Sequence, residues 1–94
     1  MDVADLHVEV SGMVQGVGFR WFTVQAARRL GVGGWVRNRA DGTVEIVASG
    51  TQADLDRFLM VVRRGPSGAR VERVRSLPVD AASSDAAAPF ELRR

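Results

Sequence analysis

The sequence predicts an α+β domain in which two helices cover one face of an antiparallel sheet, in the order βαββαβ. Three observations lead to this fold class. Strand-like segments surround two segments with helical spacing, and an Asp-Gly pair joins the two middle strands as a hairpin. With 94 residues, of which 46% are hydrophobic, the chain suits one small domain with a single core. We expect this domain to span residues 1–94, with its core at about 6–78 and a short C-terminal edge strand at about 89–93.

The first elements are a strand, a glycine-rich loop and a helix. Residues 6–11 alternate as a strand does, and apolar residues then recur with helical spacing from Phe19 to Leu30. Gly31 is placed to end the helix, since glycine is common just after a helix C-terminus. The segment from Val32 to Asn38 then has the composition of a second strand.

A hairpin connects the second strand to the third. Asp41-Gly42 is a two-residue turn signal between two strand-like runs. Thr43 to Ser49 forms the third strand, and Gly50 is expected to end it.

The remaining elements are a helix, a fourth strand and a short return. Thr51 is placed to cap the second helix, which Gly65-Pro66 should stop. Ala69 to Pro78 is expected as the fourth strand, and residues 80–88 as a loose loop before an edge strand at Pro89–Leu92. This order, with both helices on one sheet face, is the split βαβ or ferredoxin-like arrangement.

Composition excludes several classes of protein. The chain has no Cys and one His, so it can form neither disulfides nor a cluster of His or Cys metal ligands. Its net charge is only +2, which favours a small anionic ligand over nucleic acid. The acidic N-terminus is not a secretory signal, and no stretch is long and apolar enough to span a bilayer. We expect a cytoplasmic monomer with no nucleic-acid partner and no membrane association.

The glycine-rich loop is the strongest functional feature. Glycines between a strand and a helix allow backbone N–H groups to turn inward, and the helix dipole favours an anion there. The amides expected to hold a phosphate belong to Gln15, Gly16, Val17, Gly18 and Phe19. Arg20, on the first helical turn, can fold its guanidinium back over the loop and bind two oxygens. By itself the loop is equally compatible with a tight turn beside a surface arginine.

Several motifs in succession narrow the interpretation. Gly12-x-Val14-Gln15-Gly16-Val17-x-Phe19-Arg20 is followed by Gly34-Trp35-Val36-x-Asn38 and then by Asp41-Gly42-x-Val44-Glu45. This succession, over roughly residues 6–76, closely resembles the acylphosphatase family.

The resemblance implies both a fold and an activity. The fold is ferredoxin-like, and the activity is hydrolysis of the carboxyl–phosphate bond of acyl phosphates without metal or cofactor. It further implies that Arg20 binds the substrate phosphate and that Asn38, at the end of the second strand, positions the attacking water.

The residues present also limit the mechanism. Val14 stands where a thiol phosphatase has its cysteine, and the chain has no lysine for a Walker A loop. Direct attack by water therefore remains. Asn38 is neutral and cannot act as a base, and Asp41 is explained by the hairpin turn. We hypothesise that a phosphate oxygen of the substrate accepts the proton.

Other conspicuous side chains have structural explanations. His7 is expected to be solvated, and Glu9 and Glu45 to lie on the open sheet face. Trp21 is expected either exposed beside the loop or packed. The aromatic residues expected in the core are Trp35, Phe58 and Phe90.

Two alternatives to the free enzyme remain at this point. One is a ferredoxin-like module that binds phosphate without turnover. The other is an acylphosphatase-like domain that handles carbamoyl phosphate. An RNA-binding domain of the same topology ranks low, because strands one and three have no aromatic residue on which bases could stack.

Overall fold

The structure, a computed structural model of the chain, describes residues 3–79 and 88–94. Within these residues, one five-stranded sheet carries two helices on one face. In chain order the elements are β1 (Val3–Met13), α1 (Phe19–Leu30), β2 (Gly33–Asn38), β3 (Val44–Thr51), α2 (Gln52–Arg64), β4 (Arg70–Ser76) and β5 (Glu91–Arg93). The predicted fold class is confirmed. The loop predicted at 80–88 lies almost wholly outside the described residues.

The sheet has the strand order β4-β1-β3-β2-β5. Its first four strands are antiparallel, as predicted, whereas β5 lies parallel to β2 and makes the sheet mixed at that edge. In this register Val36 is opposite Leu92, and Arg37 is opposite Arg93. The C-terminal strand therefore lies beside the end of β2 that carries Asn38.

The core lies between the sheet and the helices. Alternate residues of the strands, among them Val8, Val36 and Ile46, face apolar residues of both helices. Phe58 of α2 contacts Phe90, and their ring centroids are 5.7 Å apart. Both predictions for these phenylalanines are confirmed.

Trp35 is buried, but on the opposite face of the sheet from the core. The guanidinium groups of Arg37 and Arg93 lie over its ring, with their Cζ atoms 5.3 Å and 4.9 Å from the centroid. Trp35 is thus buried, as predicted, but outside the core cluster. The two-residue period of the strand places it on the side without helices, where the guanidinium groups of two arginines cover it.

The helix ends follow the local sequence. Gly31 ends α1, and the Thr51 side chain accepts a hydrogen bond from the backbone N–H of Asp54 at 3.1 Å. Gly50 does not end β3, because β1 begins at Val3 and supplies Ala4 as the partner of Gly50. Among the described residues, no helix is long and apolar enough to cross a membrane.

His7 is buried rather than solvated. On the open face its Nε2 lies 2.7 Å from Oε2 of Glu45, and its Nδ1 lies 2.9 Å from the carbonyl oxygen of Pro78. Oε1 of Glu45 accepts a hydrogen bond from Nε of Arg37 at 2.7 Å. The prediction of a solvated His7 was wrong, since the side chain is buried and oxygen atoms of Glu45 and Pro78 lie within hydrogen-bonding distance of its two ring nitrogens. Glu45 lies on the open face as predicted, but its neighbours bury it.

The buried carboxylate of Glu45 should make stability depend on pH. Burial opposes its ionisation, but the hydrogen bonds from His7 and Arg37 outweigh burial and lower the pKa of Glu45 below its ordinary value of 4.5. A carboxyl whose pKa is lowered on folding contributes stability above its unfolded pKa and loses it as pH falls. We expect Glu45→Gln to reduce the free energy of unfolding at pH 7 by about 1–3 kcal/mol.

Denaturant unfolding at several pH values measures this effect. The difference between the parent and Glu45→Gln should shrink as pH falls below 4.5, where the parent loses the same interaction. Glu72→Gln, on the exposed surface of β4, is the matched control and should change stability little. A difference for Glu45→Gln that does not vary with pH would contradict the assignment.

Candidate active site

A cavity of about 160 Å³ opens where the loop after β1 enters α1 and where β2 ends. Both residues predicted for catalysis, Arg20 and Asn38, line this one cavity. The full lining consists of Val14, Gly16, Gly18, Phe19, Arg20, Trp21, Asn38 and Leu92. None of these side chains is a carboxylate or an imidazole.

The loop presents unpaired backbone donors beside the cavity. Gly16 and Gly18 adopt the left-handed conformation, with φ of 75° and 77°, which glycine reaches without steric cost. The first hydrogen bond of α1 runs from the N–H of Phe22 to the carbonyl of Gly18, at 3.0 Å. Within the described residues, the N–H groups of residues 15–19 donate to no backbone or side-chain acceptor. Gly16, Gly18 and Phe19 line the cavity, whereas Gln15 and Val17 do not.

The charge around the loop is positive. The first turn of α1 contains no acidic residue but does contain Arg20. The positive end of the helix dipole and the guanidinium therefore act on the same space, and both favour an anion there.

The Arg20 side chain is held by the C-terminal strand. Its Nη1 donates a hydrogen bond to the backbone carbonyl of Arg93 at 3.0 Å, and the side chain is half-buried. Further along α1, Nε of Arg28 donates to the carbonyl of Phe90 at 3.1 Å. The helix therefore contacts β5 and the residue before it through two hydrogen bonds, one of which restricts the guanidinium of Arg20. The residues of the first bond are 73 positions apart, so no local sequence signal could have indicated it.

Asn38 is the last residue of β2, where its backbone pairs with Val44. The amide oxygen of its side chain is buried and accepts no hydrogen bond from any described residue. Buried polar atoms without partners are rare in proteins and costly, which makes this oxygen a candidate for binding water or a ligand.

Gln15 connects the loop to the β2–β3 hairpin. Its side-chain Nε2 donates to the backbone carbonyls of Arg39 and Thr43, both at 2.8 Å. This side-chain amide therefore connects the glycine-rich loop to Arg39, the residue after Asn38. The sequence indicated Gln15 for its backbone N–H, but its side-chain contacts could not be foreseen.

Asp41 forms the hairpin turn, as predicted. Its Oδ1 accepts hydrogen bonds from the hydroxyl and the N–H of Thr43, at 2.6 Å and 3.0 Å, and these bonds lower the pKa of Asp41. It does not line the cavity.

The arrangement is thus a small anionic site built from main-chain donors, one guanidinium and one carboxamide. The sequence model of the family described as Acylphosphatase matches residues 6–90, nearly the whole chain. The chain belongs to the acylphosphatase family.

Similar proteins agree with this membership. A protein named Acylphosphatase from Rhodospirillum rubrum is 51% identical over 76 residues, which cover 81% of this chain and 84% of that protein. Another from Cupriavidus pinatubonensis is 48% identical over 87 residues, which cover 93% and 92%. The crystal structure of acylphosphatase from Bacillus subtilis superposes with a TM-score of 0.83 at 30% identity and covers 99% of this chain and 100% of that one.

Membership in the acylphosphatase family establishes the reaction. The enzyme hydrolyses the carboxyl–phosphate bond of acyl phosphates to carboxylate and phosphate. Neither the phosphate-binding module without turnover nor the carbamoyl-phosphate domain is favoured by these relationships.

Proposed function

We propose that the cavity binds the phosphoryl group of the acyl phosphate and that Arg20 and Asn38 carry the catalysis. The observation that supports this most directly is their convergence on one cavity beside a loop whose N–H groups have no acceptor among residues 3–79 and 88–94. In this proposal the backbone N–H groups of Gln15, Gly16, Val17, Gly18 and Phe19 bind the phosphate oxygens. Arg20 binds two of those oxygens, and Asn38 positions the attacking water.

Arg20 suits a phosphoryl group that gains charge in the transition state. A guanidinium stays charged at any working pH and matches two oxygens at once. Because its Nη1 already donates to the carbonyl of Arg93, the side chain is oriented before substrate arrives. A donor that needs no reorganisation stabilises the transition state more than one that must move.

The Asn38 side chain can position a water molecule but cannot deprotonate it. Its buried amide oxygen has no donor among the described residues and can accept a hydrogen bond from one water molecule. Holding that water in line with the breaking bond replaces an encounter in solution with a fixed geometry. The hydrogen bonds from the Gln15 side chain to the hairpin hold the loop in a fixed position relative to Asn38.

The reaction balances without an acid or base from the protein. The water oxygen forms a bond to phosphorus, and the bond from phosphorus to the carboxyl oxygen breaks. The carboxylate leaves with the electron pair, and a phosphate oxygen accepts the proton of the water. Because a carboxylate is a weak base, it leaves without protonation. No lining residue is Asp, Glu or His, which supports this route.

Steady-state hydrolysis of benzoyl phosphate in the presence of EDTA tests the proposal. We expect turnover with EDTA present and a flat pH profile across neutrality, since no protein group titrates in the reaction. Inorganic phosphate should inhibit competitively by occupying the loop. The activity per chain should not vary with enzyme concentration, as expected for the proposed cytoplasmic monomer, because one chain supplies all the lining residues.

Two results would contradict the proposal. Loss of activity with EDTA would point to a metal. A bell-shaped pH profile with two sharp limbs would require acid and base groups that the cavity does not contain.

A further inference from the structure

Two large apolar side chains lie exposed at the rim of the cavity. Trp21 is 54% exposed and Leu92 is 38% exposed, and both line the cavity together with Arg20 and Asn38. We propose that Trp21 and Leu92 form an apolar platform that binds the acyl group of the substrate and favours aromatic acyl phosphates over acetyl phosphate. This inference rests on the proposed binding of phosphate in the loop.

Trp21 and Leu92 differ from the other large apolar side chains of the cavity, Val14 and Phe19, which are buried. The large hydrophobic residues exposed within the described part of the chain are Val3, Met13, Trp21, Met60, Val79 and Leu92. Only Trp21 and Leu92 among these line the cavity. A tryptophan that leaves half its surface in water forgoes much of the stabilisation its burial would give. Apolar surface beside polar binding groups is typical of a ligand site.

The fold brings both side chains to the same cavity as Arg20. Trp21 follows Arg20 on the first turn of α1, and helical side chains lean toward the N-terminus, here toward the loop. Leu92 lies two residues after Phe90 in the chain and so shares its face of the sheet, the face that the helices cover. The next residue, Arg93, accepts the hydrogen bond from Arg20.

The chemistry of the substrate places its acyl group at this rim. Once the phosphoryl oxygens face the loop N–H groups and Arg20, the carboxyl group must point out of the cavity. Trp21 and Leu92 line the same cavity as Arg20, so a group that extends from the bound phosphoryl group toward the rim comes next to them. An aromatic acyl group would therefore extend over Trp21 and Leu92. Ring stacking and loss of water from apolar surface both favour it there, whereas a methyl group gains little.

The test compares kcat/KM for benzoyl phosphate and acetyl phosphate. We expect Trp21→Ala to lower kcat/KM for benzoyl phosphate by about tenfold, mainly through KM, with a much smaller effect on acetyl phosphate. Leu92→Ala should act in the same direction but less strongly. Trp21→Phe keeps an aromatic surface and should retain most of the preference for benzoyl phosphate. Met60→Ala removes a side chain that is 68% exposed outside the cavity, and it serves as the matched control.

The outcomes separate this inference from the proposed site. An equal loss on both substrates for Trp21→Ala would mean that Trp21 supports Arg20, and no loss on either substrate would mean that the acyl group lies elsewhere. Either result overturns the platform. If phosphate fails to inhibit the parent enzyme, or Arg20→Ala keeps full activity, the proposed phosphate site itself fails. Circular dichroism of each variant checks that it is folded.

Discussion

Replacing Arg20 with alanine is expected to lower kcat/KM for benzoyl phosphate by about 100- to 1000-fold or more. The loss should fall on both kcat and KM, because the guanidinium binds the phosphoryl group in the ground state and more strongly as charge develops. Competitive inhibition by inorganic phosphate should weaken in parallel. Kinetics with phosphate as inhibitor measure both effects.

Two further variants sharpen this prediction. Arg20→Lys keeps the positive charge but loses the planar fork, and it should restore only a small part of the activity. Arg29→Ala, at an exposed position on the same helix outside the cavity, is the matched control and should retain activity. Should Arg20→Lys match the parent, charge alone would account for the role of Arg20, and the proposed binding of two oxygens would be wrong.

Replacing Asn38 with alanine is expected to lower kcat by about 100-fold while leaving inhibition by phosphate nearly unchanged. The amide positions water and does not hold the phosphate, so the loss appears in turnover rather than in binding. The same change removes a buried oxygen that lacks a donor among the described residues. Because an unsatisfied acceptor is unfavourable, the free energy of unfolding should fall little or even rise.

Asn38→Asp is the informative companion to this variant. It keeps the shape of the side chain but introduces a negative charge beside the phosphate, so phosphate inhibition should weaken as well as turnover. Thermal or denaturant unfolding of both variants completes the comparison. An Asn38→Ala variant that loses stability and phosphate binding together would indicate a structural role for Asn38.

Much of the fold was accessible from local patterns. Alternation, helical spacing and the Asp41-Gly42 turn predicted the element order, and Gly31 and Thr51 marked helix ends that the structure confirms. These features depend on residues a few positions apart, so their physics is contained in short segments. Where a boundary was wrong, as at Gly50, a distant partner strand had extended the element.

Long-range pairing accounts for the predictions that failed. His7 alternates in the strand as a solvent-facing residue does, yet a glutamate from β3 and the Pro78 carbonyl bury it. Trp35 is large and apolar, as core residues are. The two-residue period of the strand nevertheless places it on the sheet face without helices, where two arginines cover it. The partners of His7 are far away in the sequence, and Trp35 is covered by Arg93 of the distant β5 as well as by the nearby Arg37.

The candidate site also combines features that the sequence indicates with features that only the tertiary structure shows. The glycine-rich loop and Arg20 indicate a candidate anion site by their residue types, because such a site needs backbone donors and a fixed cation. The role of Asn38 came instead from the resemblance to the acylphosphatase family. The hydrogen bond from Arg20 to the Arg93 carbonyl and the position of Leu92 at the rim depend on the parallel pairing of β5 with β2. That pairing joins segments at opposite ends of the chain, and only packing in three dimensions selects it.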